Sequence, residues 1–309
     1  MWRYVRKRLL LLIPVLLGAI LIITFILSLC KGDPASIILG AGASQEDIDR
    51  LNDELGFNDP FFKRYFDYII GLVQGDMGKS YQTRVPVLKS LMERAPVSLR
   101  TSFLALACAA LIGVPLGVLT AVKQYSLWDT FPTALAMIFA AMPIFWLGMM
   151  LMYVFALKLQ WLPSFGTDSV LGLIMPTLSI GLPNAARQMR FTRSSMLESI
   201  REDYIRTARA KGCAENVVIW KHALKNALLP VITVIGNSFG AMFGGTVIIE
   251  RLFSVQGIGT FMVDGINNRD VPVVTGCVVT IAVVYSLVTM LVDVLYAYID
   301  PRTKARFVK

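Results

Sequence analysis

Long apolar segments alternate with short polar segments along the chain, and their lengths predict helices that cross a membrane. A helix needs about 20 apolar residues to cross the hydrocarbon core of a bilayer. The first apolar segment, Leu9–Cys30, has 22 residues, which is too long for the core of a signal peptide, and no small-x-small cleavage site follows it closely. We therefore interpret it as an uncleaved span. The other predicted spans are Leu99–Val122, Phe131–Leu157, Leu171–Ala186, Ala227–Ile249 and Val273–Ile299.

The pattern predicts an all-α polytopic membrane protein with six spans, but three of these spans contain unusual residues. The fourth is short and contains Pro176 and Pro183, which are tolerated where neighbouring helices satisfy the freed backbone groups. The last contains Asp293, which is either a functional group or the partner of a neighbouring helix near the inner interface. The fifth contains glycines spaced for close helix packing. They are Gly236, Gly240, Gly244 and Gly245.

The polar segment Lys31–Ser98 is an insertion of 68 residues between the first two spans. Ser44, followed by acidic residues, predicts a capped helix start, and a second helix is predicted over Pro60–Val73. The piece GDMGKS, Gly75–Ser80, suggests a phosphate loop, but Val73 occupies the position of the first glycine of that motif. The sequence therefore divides into residues 1–30 (N-terminal tip and first span), 31–98 (insertion) and 99–309 (a five-helix core).

The distribution of Lys and Arg predicts that both termini are cytoplasmic, because short cytoplasmic loops carry the basic excess. In this orientation the cytoplasmic basic residues are Arg3, Arg6, Lys7, Arg8, Lys123, nine between Arg187 and Lys225, and Arg302, Lys304, Arg306 and Lys309. The short outer loops contain Lys158, Arg251 and Arg269. The insertion is then extracytoplasmic.

Composition agrees with a membrane protein. The chain is 55% hydrophobic and 17% charged, with a mean hydropathy of +0.62, whereas globular domains carry about 25% charged residues. A net charge of +9 would suggest nucleic acid in a soluble protein, but here the charge follows the membrane sidedness. The cysteines show no metal-ligand spacing and indicate no disulfide framework. They are Cys30, Cys108, Cys213 and Cys277.

The basic loop of residues 187–226, between the fourth and fifth spans, is the strongest candidate site. Within it a helical pattern begins at Tyr204, breaks at Gly212, resumes near Val217 and meets Pro230. Such a structured polar segment between two spans suggests a docking surface for a cytoplasmic partner. The alternative is a basic helix that lies on the inner leaflet. Three arginines at the inner end of the fourth span share one helix flank or snorkel to the interface. They are Arg187, Arg190 and Arg193.

The loop resembles the integral-membrane permease subunits of bacterial ABC importers, in the dipeptide, oligopeptide and nickel branch. Sequence motifs of that branch occur at Tyr204–Gly212 (YIRTARAKG) and His222–Thr233 (HALKNALLPVIT). The general family signature, E-A-A-x-x-x-G followed after nine residues by I-x-L-P, is matched only in part. Aligned on Gly212, its positions are occupied by Arg206, Thr207 and Ala208, then by His222, Leu224 and Lys225.

Further matches extend the resemblance over nearly the whole chain. Gly32-Asp33-Pro34 resembles P-G-D-P, with Lys31 in place of the first proline. The insertion and the end of the fifth span contain further family pieces. These are Leu55-Gly56, Pro60, Gly75-Asp76-Met77-Gly78, Ser80, Gly244-Gly245-Thr246, Glu250, Phe253, Gly257, Gly259 and the ending Asp300-Pro301-Arg302. Gln256 stands where the family usually has proline.

The resemblance implies a type I ABC importer permease fold in the bacterial inner membrane and a non-catalytic subunit of a heteromeric complex. Its expected partners are a second homologous permease, two cytoplasmic ATPases that hold ATP and Mg²⁺, and an extracytoplasmic binding protein. The loop helix would be the coupling helix that seats in a groove of one ATPase, where small Thr207 and Ala208 allow close approach. The implied coupling residues are Arg206, Thr207, Ala208, Lys211, Gly212, His222 and Leu224.

Two further sets of residues are candidates for the passage itself. Asn237, Phe239 and Met242 of the fifth span are candidate lining residues. Glu250 and Phe253 belong either to an outer gate and binding-protein contact or to helix packing. The expected cargo is a di- or oligopeptide, with glutathione or a nickel chelate as alternatives within the branch.

Two other classes of protein are weaker interpretations. An ion-coupled secondary transporter would need ionisable residues near the midplane, and the spans offer few beyond Asp293. A membrane enzyme is disfavoured because His222 is the sole histidine and no Ser-His-Asp set, H-E-x-x-H or Walker A pattern is present. No metal ligands and no cofactor of its own are predicted for this chain.

Overall fold

The computed structural model describes residues 2–29, 32–40, 42–166 and 169–299. The regular structure of these residues is helical apart from one isolated bridge between Lys79 and Pro86, so the all-α prediction is confirmed. Several residues used above lie outside the described ranges. They are Cys30, Lys31, the Asp300-Pro301-Arg302 ending, and the tail residues Lys304, Arg306 and Lys309.

The helices follow one another along the chain as α1 (Trp2–Leu29), α2 (Pro34–Leu39), α3 (Gln45–Glu54), α4 (Phe61–Val73), α5 (Val87–Val122), α6 (Leu127–Ala141), α7 (Ile144–Leu151), α8 (Val170–Ile200), α9 (Asp203–Ala210), α10 (Glu215–Val217), α11 (Leu224–Leu252), α12 (Ile258–Asn267) and α13 (Val271–Ile299). Two π-helical segments extend this series. Met152–Lys158 continues α7, and Val218–Ala223 joins α10 to α11.

Four helical segments of the described chain are long and apolar enough to cross a membrane, or five if a bent pair counts as one span. They are Val5–Leu29, Val87–Val122, Glu215–Leu252 and Val271–Val294, with the bent pair Leu127–Ala141 and Ile144–Lys158. The second begins twelve residues before the predicted Leu99. The boundary drawn at Ser98 therefore falls inside α5.

The predicted third span, Phe131–Leu157, is not one continuous helix. Its two halves meet at an angle of 106°. The break follows from Pro143, because a proline disfavours helical backbone at the preceding residue. Met142 is accordingly extended, with φ −71° and ψ 132°.

The predicted fourth span is the first half of the 31-residue helix α8, which continues through the three arginines at its far end. Pro176 and Pro183 lie inside this helix without ending it. α8 packs against α5, α6, α7 and α11, so it occupies the centre of the bundle. Neighbouring helices shield it, and it can therefore carry buried polar residues such as Asn184 and Gln188.

Small residues let α5 and α8 approach closely along a stripe with four-residue spacing. A Cβ atom on Gly113 would lie 2.6 Å from the carbonyl oxygen of Ala185, and one on Gly117 would lie 2.6 Å from that of Met189. The residues of the stripe are Ala105, Ala109, Gly113, Gly117 and Ala121.

The glycine series of α11 is only partly used for packing. Gly236 packs against Val292 and Gly240 against Tyr285, both on α13, as the spacing predicts. A Cβ atom on Gly244 would meet no atom within 4 Å. Close packing is thus confirmed for the first two glycines of the series, and no neighbour among the described residues packs on Gly244.

Polar contacts join the first helix to the last helix, and the insertion to the start of the last helix. Asp293 pairs with Arg8 of α1 at 2.7 Å, which confirms the hypothesis of a neighbouring-helix partner. Ser44 caps α3 by accepting from the Asp47 amide at 3.2 Å, as predicted. In the GDMGKS piece the Ser80 hydroxyl donates to Asp270 at 2.6 Å, immediately before α13.

Candidate functional site

The short helix α9 and the turn after it form the centre of the candidate coupling site. α9 ends at Ala210, and Gly212 adopts φ +78°, the left-handed conformation that glycine favours after a helix. The Gly212 amide donates to the Arg209 carbonyl at 2.9 Å, and the Cys213 amide donates to Ala208 at 3.2 Å. The predicted helix break is therefore present. Pro230, in contrast, lies inside α11 and does not interrupt it.

One face of α9 packs into the chain itself. Ile205 is fully buried and Ala208 is 8% exposed, in a cluster with Met196, Val218 and Ala223. The expectation that Ala208 faces a partner is therefore corrected. Its small side chain serves the packing of α9 on α8 and on the segment that leads to α11.

The opposite face of α9 is exposed and basic. Arg206 and Thr207 lie on it, and Lys211 and Gly212 follow at the turn. We call these four residues the α9 surface. Arg209 spans the turn by donating to both carboxylate oxygens of Glu215, at 3.1 and 2.7 Å. This ion pair holds the end of α9 against the start of α10. No described residue covers the α9 surface.

A hydrogen-bond junction joins α9 to the helices on both sides of it. The Ser199 hydroxyl, near the end of α8, donates to the Ala223 carbonyl at 2.9 Å. The same hydroxyl lies 2.7 Å from the Tyr204 hydroxyl of α9. His222 is half-buried beside this junction, and Leu224 packs against the cluster beneath α9. Both predicted coupling residues therefore lie outside the α9 surface, and of the two Leu224 packs beneath the helix.

A partly buried ion pair links the C-terminal half of α8 to α6, and the sequence prediction missed it. Arg193 donates to both oxygens of Asp129, at 2.8 and 2.7 Å. Asp129 also accepts from the Tyr125 amide at 3.1 Å and from Thr133 at 3.3 Å. The available signal was a single acidic residue at the start of an apolar segment. Arg187 and Arg190, the other two arginines, are exposed.

The three candidate lining residues of α11 separate into one exposed and two buried residues. Phe239 is 0% exposed and Met242 is 1% exposed. The Phe239 ring centroid lies 4.8 Å from that of Phe103 on α5. In this conformation the buried pair packs the bundle and lines no open passage. Asn237 is exposed.

A continuous face of α11 remains uncovered by the rest of the described chain. Its members recur at the three- and four-residue spacing of one helix face. They are Asn237, Ala241, Gly244 and Ile248. We call this set the open α11 face.

Glu250 and Phe253 are buried packing residues in this structure. Glu250 is 0% exposed, and its carboxylate accepts from the Gly259 amide at 2.7 Å and the Thr260 amide at 3.1 Å, in the first turn of α12. The Ser98 hydroxyl of α5 donates to the same carboxylate at 2.6 Å. Phe253 is 1% exposed. Both side chains pack inside the bundle in this structure, so neither is exposed for contact with a binding protein. Their role at an outer gate stays a prediction.

The two glycines that follow Glu250 in the family motif, Gly257 and Gly259, have a steric explanation. A Cβ atom on Gly257 or Gly259 would collide with the Glu250 carboxylate. Both glycines therefore let the backbone of α12 approach the acid closely enough to be capped by it.

The fold defines a multi-pass α-helical membrane protein with a structured polar loop between α8 and α11. Residues 113–305 match the family model described as the binding-protein-dependent transport system inner membrane component, and residues 1–102 match the model for the N-terminal part of such membrane components. The chain belongs to this family. The predictions of an inner-membrane location and of a non-catalytic permease subunit are thereby confirmed.

Similar proteins extend over the full length of the chain. The dipeptide transport system permease protein DppB of Alkalihalophilus pseudofirmus is 40% identical, with 98% of this chain and 100% of the relative covered. The glutathione transport system permease protein GsiC of Salmonella typhimurium is 38% identical, with 97% and 98% covered.

Two solved structures share the fold at low sequence identity. An inward-facing form of the MetNI methionine ABC transporter gives a TM-score of 0.59 at 19% identity, covering 68% of this chain and 96% of the other. An amino acid ABC transporter with histidines gives 0.53 at 13%, covering 69% and 94%. This likeness establishes the ABC permease fold for about two thirds of the chain.

Proposed function

We propose that this chain is a channel-forming subunit of an ATP-driven importer that carries di- or oligopeptides. The observation that carries the proposal is the 40% identity to DppB over 98% of this chain and the whole of the relative. Glutathione is the second candidate cargo, because GsiC is 38% identical over nearly the same span.

The proposed topology has six crossings with both termini in the cytoplasm. The four long apolar segments, the bent pair α6–α7 and the first half of α8 would supply the crossings. Residues 31–98 would then be extracytoplasmic, and the loop of residues 187–226 would face the cytoplasm. The basic excess in that loop supports the orientation.

The proposed partners are a second homologous permease, two cytoplasmic ATPases that bind ATP and Mg²⁺, and an extracytoplasmic binding protein. The α9 surface would seat in a groove of one ATPase. The Ser199 junction fastens α9 to α8 and to the segment leading into α11. Movement of an ATPase would therefore displace these helices as a rigid unit.

The open α11 face is the proposed lining of the passage. Of the lining residues expected from the sequence, this proposal keeps Asn237, which is exposed, and drops Phe239 and Met242, which are buried. A surface with one amide, two small residues and one aliphatic side chain, Ile248, suits a wide path that binds many peptides weakly.

The coupling role is tested by uptake through the assembled importer in cells. We expect Thr207→Trp and Lys211→Glu to lower peptide uptake at least about tenfold while the amount of inserted chain is unchanged. Lys123→Glu is the matched control, since Lys123 is also an exposed cytoplasmic lysine in the proposed topology. Normal uptake by both α9 variants would contradict the coupling role.

The cargo is tested by competition. Uptake of a labelled dipeptide is measured in the presence of excess unlabelled dipeptide or excess glutathione. We expect excess unlabelled dipeptide to inhibit this uptake and excess glutathione to leave it unchanged. Uptake of labelled glutathione that resists competition by dipeptides would favour the second candidate.

A further inference from the structure

A polar cavity of about 260 Å³ lies where the insertion meets the first and last spans. Its walls come from Thr24 of α1, from α4 and the loops on either side of it, and from the start of α13. The polar side chains used below are Asp59, Arg64, Asp67, Tyr68, Asp76, Tyr81 and Thr275. One water needs only roughly 10–15 Å³ of such space, so the cavity has room for a larger group.

Three residues that line this cavity each carry a buried polar atom with no hydrogen-bond partner among the described residues. The atoms are Arg64 Nε, Tyr68 Oη and Thr275 Oγ1. Thr275 is 1% exposed, so bulk solvent does not satisfy its hydroxyl. A buried polar group left without a hydrogen-bond partner is unfavourable. Atoms from two separate elements, α4 and α13, thus point to a bound group that supplies their partners.

The charges around the cavity have both signs. Arg64 provides a guanidinium, and Asp59, Asp67 and Asp76 provide carboxylates, of which Asp59 pairs with Lys63 at 2.9 Å. Burial raises the pKa of Tyr68 and raises the pKa of Tyr81 to about 12, so both phenols stay protonated and can donate. A group with an anionic part and an ammonium part would match this arrangement, because Arg binds phosphate oxygens and carboxylates bind N–H donors.

The cavity also lies beside a surface suited to lipid chains. One face of α4 exposes four apolar side chains at helical spacing, each at least 55% exposed. They are Phe62, Phe66, Ile70 and Val73. The neighbouring face of α4 packs on the membrane-crossing α1, because the ring centroids of Phe61 and Phe25 lie 6.3 Å apart and the Tyr65 hydroxyl donates to the Leu17 carbonyl at 3.3 Å. The stripe therefore lies beside α1.

We propose that the cavity binds the headgroup of a phospholipid that carries a primary ammonium, as phosphatidylethanolamine does. Arg64 receives the phosphate, Asp67 and Asp76 receive the ammonium, and the acyl chains follow the apolar stripe of α4 and the adjoining surface of α1. The bound lipid fastens the insertion to α1 and α13. This inference requires the membrane location of the chain and is independent of the transported solute.

Lipid retention by the purified assembled permease tests the proposal. Native mass spectrometry is performed after exchange into nanodiscs of phosphatidylethanolamine, phosphatidylcholine or phosphatidylglycerol. We expect the wild-type chain to retain phosphatidylethanolamine preferentially. Arg64→Gln should lower retention of all three lipids at least about tenfold, which is the loss of one charged hydrogen bond. Asp67→Asn should abolish only the preference for the primary ammonium.

Matched controls keep the outcome interpretable. Arg50→Gln removes an arginine of the same insertion that pairs with Asp47 at 2.7 Å and does not line the cavity, so lipid retention should not change. If Arg64→Gln does not fold, Thr275→Val carries the test, because it keeps the side-chain shape and removes one unpartnered hydroxyl.

Three results would overturn the proposal. The first is equal lipid retention by the wild type, Arg64→Gln and Asp67→Asn, which would leave only water in the cavity. The second is saturable binding of free alanyl-alanine at this cavity without a lipid preference, which would assign it to a soluble zwitterion. The third is a photoreactive group at Phe66 that cross-links to a protein subunit and never to lipid.

Discussion

Replacing Glu250 tests how the corner between α5, α11 and α12 is held. In Glu250→Ala the amides of Gly259 and Thr260 lose the carboxylate that accepts from them at 2.7 and 3.1 Å. Each buried donor left unsatisfied costs about 1–3 kcal/mol, so the two amides alone predict a loss of about 2–6 kcal/mol. The Ser98 hydroxyl also loses its acceptor, although it can rotate.

Glu250→Gln is the matched variant. One amide oxygen can still accept from Gly259 and Thr260, while the NH₂ group can donate to the Ser98 oxygen. We expect a loss of about 1 kcal/mol, the size of one ordinary hydrogen bond. The geometry therefore predicts a difference between two substitutions that both remove the charge.

The assay is reversible unfolding of the purified full chain in mixed micelles, followed by circular dichroism. Glu250→Ala should unfold at clearly lower denaturant concentration than Glu250→Gln, which should stay close to the wild type. Equal destabilisation by the two variants would refute the capping role, because it would mean that the charge and not the hydrogen bonds matters.

Three other predictions follow from the packing. Gly117→Ala should destabilise the chain by about 1–3 kcal/mol in the same assay, since its Cβ would lie 2.6 Å from the Met189 carbonyl, whereas Gly244→Ala should be neutral. Asp129→Asn should cost about 1.5–3 kcal/mol by weakening the hydrogen bonds to the partly exposed Arg193 guanidinium, and Asp129→Asn combined with Arg193→Gln should recover most of that loss. Gly244→Trp should block peptide uptake without lowering stability, and uptake at the wild-type rate would remove the open α11 face from the passage.

Residues close together in sequence carried the successful predictions. The lengths of the apolar segments located the four long apolar helices and the bent pair, and the glycine at 212 with the polar residues before it located α9. Both features depend on local backbone preference and on periodicity, which are visible in a single chain. The Ser44 cap is of the same kind.

Contacts between distant segments could not be predicted in this way. Ser98 and Glu250 are 152 positions apart, and nothing in the sequence pairs them. The burial of Ala208 depends on where the segment leading to α11 returns. Pro143 breaks its helix while Pro183 does not, because the surrounding helices decide whether a proline is accommodated.

The central claim is that the α9 surface contacts a cytoplasmic ATPase, and cross-linking tests it most directly. Thr207→Cys is introduced into a chain whose four native cysteines are replaced by serine, and inside-out vesicles that contain the assembled importer are treated with a bifunctional maleimide. The account predicts a cross-linked product of permease and ATPase that is absent when the cysteine replaces Asp264 on α12. Reaction of Thr207→Cys with an impermeant maleimide from outside intact cells, without any ATPase adduct, would contradict it.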